Sequence, residues 1–229
     1  MAIVKINNLG VTDGTLVNAD VNASAAIALS KLATDPSNAS NLASGTVPTA
    51  RLGSGTASSS VFLAGDNTWA AAGGGITAAS QWRLSSPFTG DAQPIASNLE
   101  VVDTYGYGSL GSAMTESSGI FTFPSTGFWY ITFCGEFYYD GSSRYNQVAI
   151  ETTTDNSSYN AAAKNSEGIV QAESTTTTAS AITSFLFDVT DTTQCKVRFA
   201  VEKSVSGVTT QASTDINTTH MTFIRLGDT

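Results

Sequence analysis

Basic residues are scarce in this 229-residue sequence, which has 10 lysines and arginines against 19 aspartates and glutamates and a formal net charge of −9. Proteins that bind bare nucleic acid contact its phosphates with clustered lysine and arginine. No such cluster is present, which excludes this class of partner. The negative charge instead favours solubility and mutual repulsion of free particles.

Long apolar runs are also missing. No stretch is apolar and long enough to span a bilayer, and the first residues lack the charged-then-apolar layout of a signal peptide. We therefore expect no membrane insertion. The only cysteines, Cys134 and Cys195, are too few for a disulfide framework in a chain of this size. We expect two free thiols, consistent with assembly in a reducing cytoplasm.

Aromatic residues are nearly absent from the first third of the chain, where only Phe62 and Trp69 precede Trp82. A segment with so few aromatics cannot bury a sizeable core alone, whereas the roughly 150 residues that follow can. Charge is divided in the same way, with a net −1 on residues 1–78 and −8 on the remainder. The composition predicts a thin part followed by a globular part.

Residues with catalytic potential do not form a recognisable active-site pattern. His220 is the only histidine, and no nucleophile-elbow sequence accompanies it. A glycosidase needs two carboxylates about 5–10 Å apart, and the candidate pairs are Glu100 with Asp103 and Asp188 with Asp191. Acidic residues near turns are ordinary, however, and no calcium-binding or phosphate-binding motif occurs in its proper context. We predict a protein without enzymatic activity, cofactor or metal.

An internal repeat marks the N-terminal part. Residues 23–32 align with residues 43–52 at an offset of 20, sharing Ala-Ser at the start and Leu at the end. A period near 20 is typical of elongated repeat architecture, although low complexity also produces such matches. A segment without a hydrophobic face of its own must pack against copies of itself. We also predict a short helix over about residues 23–32, capped by Asp20, and a glycine hinge at 73–75.

Short β-prone runs separated by turn residues fill the C-terminal part. This pattern, with no long helix, predicts an antiparallel sandwich or jelly roll. The predicted strands are Gln81–Leu84, Leu99–Val102, Ser112–Thr115, Gly119–Phe123, Phe128–Tyr138, Tyr145–Thr152, Gly168–Gln171, Ala181–Val189, Cys195–Glu202 and Met221–Leu226.

In two of these strands the face opposite the core is mixed or apolar. In the strand that begins at Phe128, the residues of one parity belong to a core, and those of the other parity, including Tyr130, Thr132 and Cys134, meet solvent or a subunit interface. In the last strand, Met221 and Phe223 oppose Thr222, Ile224 and Leu226. Apolar residues on both faces indicate a central strand or one that touches a neighbouring subunit.

Two sequence phrases resemble known families. Gly119-x-Phe121-x-x-Pro124-x-x-Gly127, followed by an aromatic strand, resembles the globular head of the complement and tumour-necrosis-factor superfamily. Those heads are trimeric jelly rolls, and related domains cap many bacteriophage fibres. Residues 41–53, followed by 62–69, resemble the shaft repeats of phage tail-fibre and related virion appendage proteins.

The resemblance implies a structural fibre subunit of a tailed-phage virion, assembled in the host cytoplasm as a homotrimer. Residues 1–22 would attach to other virion structural proteins, residues 23–75 would form a slender repeat shaft with its hinge, and residues 76–229 would form the jelly-roll head. The head would contact a host surface glycan or protein. Alternatives are a capsid (head) fibre or decoration protein, and a polysaccharide depolymerase with its active site between subunits.

The same reasoning assigns candidate residues to each contact. Heads of this kind place their closing strands near the three-fold axis, and tyrosine suits glycan or protein recognition. The candidate trimer contacts are Tyr130, Thr132, Ile224 and Leu226; the candidate host-contact residues are Tyr105, Tyr107, Tyr139 and Tyr159; the candidate virion anchor is Ile3, Ile6 and Leu9.

Overall fold

The computed structural model of the chain describes residues 51–59, 61–71 and 75–229, and its contacts divide it into two units, Met1–Ala72 and Gly73–Thr229. No α-helix occurs among the described residues. The predicted attachment segment, the first repeat copy, the short helix and the anchor residues Ile3, Ile6 and Leu9 lie outside them. The division into segments 1–22, 23–75 and 76–229 stays a prediction.

The described part of the N-terminal unit is a small β-hairpin. Strands β1 (Val61–Leu63) and β2 (Trp69–Ala71) pair antiparallel. Asp66 shapes the turn between them, since its carboxylate accepts hydrogen bonds from the backbone nitrogen and the hydroxyl of Thr68 at 3.0 and 2.7 Å. Phe62 and Leu63 are exposed. An isolated two-stranded hairpin is marginally stable in water, so the described residues of this unit form little core of their own.

Twelve strands form the C-terminal unit, which we call the head. They are β3 (Ala78–Leu84), β4 (Phe88–Thr89), β5 (Leu99–Val101), β6 (Thr115–Ser117), β7 (Ile120–Thr122), β8 (Gly127–Tyr139), β9 (Ser143–Thr153), β10 (Asn160–Ile169), β11 (Thr177–Val189), β12 (Lys196–Lys203), β13 (Thr209–Thr210) and β14 (His220–Gly227).

The strands make two antiparallel sheets. In the seven-stranded sheet, β11 pairs with β8 along the full length of β8, and β14 and β13 share the opposite edge of β8. From there β14 pairs with β3 and β3 with β5, while β13 pairs with β4. The five-stranded sheet has the order β10-β9-β12-β7-β6. The expected antiparallel jelly-roll sandwich is confirmed.

The core lies between the two sheets and is centred on aromatic rings. Phe121 is fully buried, and its ring centroid lies 5.2–5.4 Å from those of Trp82, Phe199 and Phe223. Such pairs contribute about 0.5–1.5 kcal/mol each beyond the area that they bury. Phe121 and Gly127 both belong to the phrase that resembles the jelly-roll heads. Gly127 has a φ of 133°, and a Cβ there would clash with the carbonyl oxygen of Gly227.

Most predicted strands are present, and two predictions are wrong. The strand predicted at Ser112–Thr115 is β6, which begins only at Thr115. The strand predicted at Gly168–Gln171 is the end of β10, which begins at Asn160. Residues 160–167 are mostly small or polar and exposed at this sheet edge, so they lack the alternation that predicts a strand. The two-residue strands β4 and β13 were also missed.

A buried lysine lies at the edge of the hydrophobic core. Lys203 is 6% exposed, its ammonium donates to the carbonyl oxygen of Gly90, and it lies 4.7 and 5.8 Å from the ring centroids of Phe88 and Phe137. Burial lowers the pKa of Lys203 to about 8, although the nearby charge of Asp91 acts in the opposite direction. The charged lysine is therefore less favourable in the folded protein than in the unfolded chain.

This difference predicts a pH dependence of stability. An unfolded lysine has a pKa of about 10.4, so between pH 8 and 10.4 the unfolded state binds more protons and stability rises with pH. We expect the free energy of unfolding of the wild type, measured by urea titration, to rise across this range relative to that of Lys203→Met. All ionisable groups other than Lys203 are common to the two proteins, so their contributions cancel in the comparison. A difference that stays constant from pH 7 to about 10.5 would contradict the assignment.

Candidate functional site

The outward face of the seven-stranded sheet carries apolar side chains at its centre. Because successive residues of a strand point to opposite faces, the burial of Trp129 and Ile131 in the core turns Phe128 and Tyr130 outward. These two rings are 37% and 38% exposed, whereas Trp129 and Ile131 are fully buried. Strand β8 therefore has an apolar residue on each side of the sheet.

The strand registers place these residues in one continuous row. Tyr130 pairs with Leu186 of β11 on one side and with Ile224 of β14 on the other, and Ile224 pairs in turn with Ala79 of β3. Cross-strand partners have Cβ atoms about 4.5–5.5 Å apart, so the row is a connected surface across four strands. We define the apolar face as this row with Phe128 and Leu226 beside it, so its members are Ala79, Phe128, Tyr130, Leu186, Ile224 and Leu226.

The next row along the strands is uncharged but polar. Ser184, Thr132, Thr222 and Gln81 are register partners from β11 to β3. The Gln81 amide donates to the Thr222 hydroxyl at 2.9 Å. Hydroxyl and amide groups tolerate both water and a protein contact, so this row is compatible with either surrounding.

The third row ends at a buried arginine. Its members, in the same strand order, are Ile182, Cys134, His220 and Arg83. Burial, with a smaller contribution from the charge of Glu136, raises the pKa of the Cys134 thiol, which therefore stays protonated at neutral pH. His220 Nδ1 lies 3.1 Å from the carbonyl oxygen of Thr218, a local contact within the chain.

Arg83 clamps two loops over this end of the sheet. Its guanidinium donates to Glu100 Oε1 at 2.7 Å and to Asp103 Oδ1 at 2.6 Å. It also donates to the hydroxyl of Thr104 at 2.8 Å and to the carbonyl oxygen of Asp215 at 3.3 Å. The side chain is 1% exposed. The loops after β5 and before β14 thus cover one end of the outward face and leave the apolar end open.

The predicted trimer contacts all lie on this outward face. Tyr130 and Ile224 are partners in the first row, Thr132 belongs to the second, and Leu226 is half exposed beyond Ile224. Phe128, Ile182 and Leu186 lie on the same face and were not predicted. In β11 only the inward parity of Phe185, Phe187 and Val189 was assigned, and Ile182 and Leu186 on the other parity were the available signal.

The predicted host-contact tyrosines are not brought together. Tyr105 is 84% exposed in the loop after β5, and Tyr107 in the same loop accepts a hydrogen bond from the backbone nitrogen of Gln81 at 3.0 Å. Tyr139 ends β8 and packs against the core. Tyr159 precedes β10, with its ring 4.3 Å from the guanidinium carbon of Arg198. Host contact by these residues stays a prediction.

Three of the four carboxylates considered for hydrolysis have structural partners. Glu100 and Asp103 both bind Arg83. Asp191 accepts hydrogen bonds from the backbone nitrogen and hydroxyl of Thr193, each at 2.7 Å, which fixes a turn. Within residues 51–59, 61–71 and 75–229, no three histidine, cysteine or acidic side chains are placed to hold a metal ion, and no helix there has the length and apolar character to cross a membrane.

Comparison with known proteins gives likenesses at the level of the fold. No family model and no curated protein matches the chain. Murine APRIL at pH 5.0 superposes with a TM-score of 0.47 and 7% identity, covering 65% of this chain and 98% of that one. The Eiger TNF from S. frugiperda superposes with a TM-score of 0.49 and 12% identity, covering 67% and 95%. Assembly and function are therefore inferred from the residues of this chain.

Because Arg83 binds two loops, we expect its removal to have a large effect on stability. We expect Arg83→Met to lower the free energy of unfolding by about 2–3 kcal/mol, because four hydrogen bonds are lost while the two carboxylates still reach water. Arg144→Met, at an exposed arginine, is the matched control and should stay within about 0.5 kcal/mol of the wild type. Urea unfolding at one fixed protein concentration measures both; equal midpoints for the two variants would contradict the clamp.

Proposed function

We propose that this chain is a structural fibre subunit of a tailed-bacteriophage virion and that it works as a homotrimer held together at the apolar face of its head. The observation that carries the proposal is the row of Leu186, Tyr130, Ile224 and Ala79, which runs without a charge across four strands of an outward sheet face. The fibre assignment rests in addition on the shaft-like phrases at residues 41–53 and 62–69.

The size of the face supports a protein contact. Four strands span about 14 Å, and the stretch from Phe128 to Cys134 spans about 20 Å along β8. The resulting area of about 300 Å² includes the polar second row and the row of Cys134 as well as the apolar residues, and it is the outward area available for a protein contact. A stable interface needs about 800 Å² per partner. The face therefore supplies only the centre of an interface, which other contacts between the copies would complete.

Charge favours another copy of the same chain as the occupant. The head carries most of the net charge of −9, so identical heads repel each other over most of their surface. The first two rows contain no charged side chain, and copies can meet at these rows without placing like charges together, whereas the exposed Asp188 lies at the edge of the face as the cross-strand partner of Phe128. The exposed Phe62 and Leu63 of the N-terminal hairpin also need a partner. Self-association covers both surfaces at once, and the three-fold symmetry follows the resemblance to trimeric heads.

The mechanism of such a fibre is geometric. The N-terminal segment with Ile3, Ile6 and Leu9 would attach to another virion protein, and the shaft would hold the head away from the particle. The head would present loops, such as the one containing Tyr105 and Tyr107, to a host surface. Three heads on one axis raise the apparent affinity by multivalency, so each contact can be weak. The N-terminal partner would decide whether the fibre sits on the tail or on the capsid.

Phage particles that carry a substitution in the apolar face test the proposed function. In the phage that encodes the chain, Ile224→Glu places a charge in the first row; we expect at least about tenfold slower adsorption to host cells, because avidity is lost with the trimer. Val170→Glu is the matched control, since Val170 is 79% exposed and lies outside the apolar face. Mass spectrometry of purified particles reports how much of the chain they carry.

Two results would contradict the proposed function. The first is wild-type particles that contain none of this chain. The second is Ile224→Glu particles that carry the chain and adsorb at the wild-type rate.

A further inference from the structure

A polar trough lies on the outward face of the other sheet. It has a volume of about 240 Å³, and its floor is formed by Ala149 and Ala200. We use the name polar trough for this depression with its six long side chains, which are Asp91, Gln93, Gln147, Glu151, Lys164 and Glu202.

The strand registers explain why a depression forms there. Ala149 of β9 and Ala200 of β12 are direct partners, and Lys164 of β10 pairs with Ala149 on the other side. The flanking partners are Glu151 with Arg198 and Gln147 with Glu202. Two methyl groups in the middle of longer side chains leave a hollow with an apolar floor and a polar rim. The two alanines are only 5% and 6% exposed.

One end of the trough is fixed by hydrogen bonds. The Glu151 carboxylate is 5% exposed; its Oε2 accepts from Arg198 Nε at 2.7 Å and its Oε1 accepts from Gln93 Nε2 at 2.5 Å. The Gln93 side chain reaches Glu151 across β12 because Ala200 is small. The ring of Tyr159 covers the guanidinium of Arg198 at 4.3 Å. Side chains held in this way are preorganised, which reduces the entropy lost when a ligand binds.

The other end of the trough has hydrogen-bond donors and acceptors that are available to a ligand. Glu202 Oε1 accepts from the Tyr145 hydroxyl at 3.0 Å, and Asp91 Oδ1 accepts from the backbone nitrogen of Lys203 at 2.8 Å, which leaves the second oxygen of each carboxylate. Within the part of the chain that the structure describes, the amide of Gln147 and the ammonium of Lys164 have no hydrogen-bond partner in the protein. Both can therefore turn towards a ligand.

This combination selects one class of ligand. Sugar hydroxyls both donate and accept hydrogen bonds, and the trough offers carboxylate acceptors beside amide and ammonium donors over an apolar floor. A bound metal is a poor fit, because among the described residues no three acidic side chains are placed to share one. Three carboxylates against Lys164 and Arg198 give the site one net negative charge, which disfavours acidic sugars. The volume lies below the roughly 300–1,000 Å³ of drug-sized sites.

We propose that the polar trough binds one neutral hexose unit of a bacterial surface polysaccharide. The inference rests on the proposed fibre function for its biological setting, and it assigns the receptor class and a site away from the tyrosine loops. The trough lies on the five-stranded sheet, whereas the apolar face lies on the seven-stranded sheet, so the two sites do not share residues. A trimer would carry three troughs, and weak binding at each would add up through multivalency.

Binding of simple sugars to the purified full-length chain tests the proposal. The probes are the methyl glycosides of glucose, galactose and mannose, with N-acetylneuraminic acid as the acidic comparison, followed by saturation-transfer NMR and chemical-shift titration. We expect at least one neutral glycoside to bind with a Kd on the order of 1 mM and the acidic sugar to bind more weakly. Ala200→Leu, which fills the floor, should abolish binding.

Gln147→Ala removes one free donor and should weaken binding roughly tenfold. Gln194→Ala, at an exposed glutamine in the turn before β12, is the matched control and should bind as the wild type does.

Three outcomes would overturn the trough as the site: no neutral glycoside binds the wild type, the acidic sugar binds more tightly, or binding survives Ala200→Leu. The molar mass of each sample, measured in parallel by light scattering, separates this inference from the fibre proposal. A trimer without sugar binding refutes only the trough, whereas a monomer that binds sugar through Gln147 and Ala200 refutes only the fibre.

Discussion

The structure depends on a sheet that carries apolar side chains on both of its faces. Strand β8 contributes Trp129 and Ile131 to the core and, by the alternation of its side chains, Phe128 and Tyr130 to the outside. An antiparallel sheet with one solvated face normally carries polar residues there. Exposure of the row through Tyr130 and Ile224 to water is unfavourable, and contact with another protein surface would remove this row from water.

The two sheets of the head thereby serve different purposes in the proposed fibre. The seven-stranded sheet offers an uncharged, apolar centre suited to a copy of itself. The five-stranded sheet is polar on its outward face, with Glu151 held by Arg198 beside a hollow above Ala149 and Ala200. Arg83 limits the apolar face at one end, because it holds two loops over the sheet. Association and ligand binding are thus assigned to opposite sides of one sandwich.

Much of the fold could be predicted from the sequence, since most strands of the head alternate apolar and polar residues. The long strand β8 and the closing strand β14 followed from this pattern. Strand β10 could not be predicted because its residues are small or polar at a sheet edge. The structural role of Glu100 and Asp103 could not be predicted either. Both bind Arg83, and only the pairing of β3 with β5 brings them close to it. The polar trough depends on cross-strand registers, which no local pattern specifies.

The central claim is that the head associates with copies of itself through its own apolar face. The most direct test is the molar mass in solution of the full chain and of residues 73–229, each measured by sedimentation equilibrium. The account predicts three chains per particle for both, because the face lies entirely within the head. A monomeric full chain would contradict self-association altogether, and a trimeric full chain with a monomeric head would place the association in residues 1–72 instead.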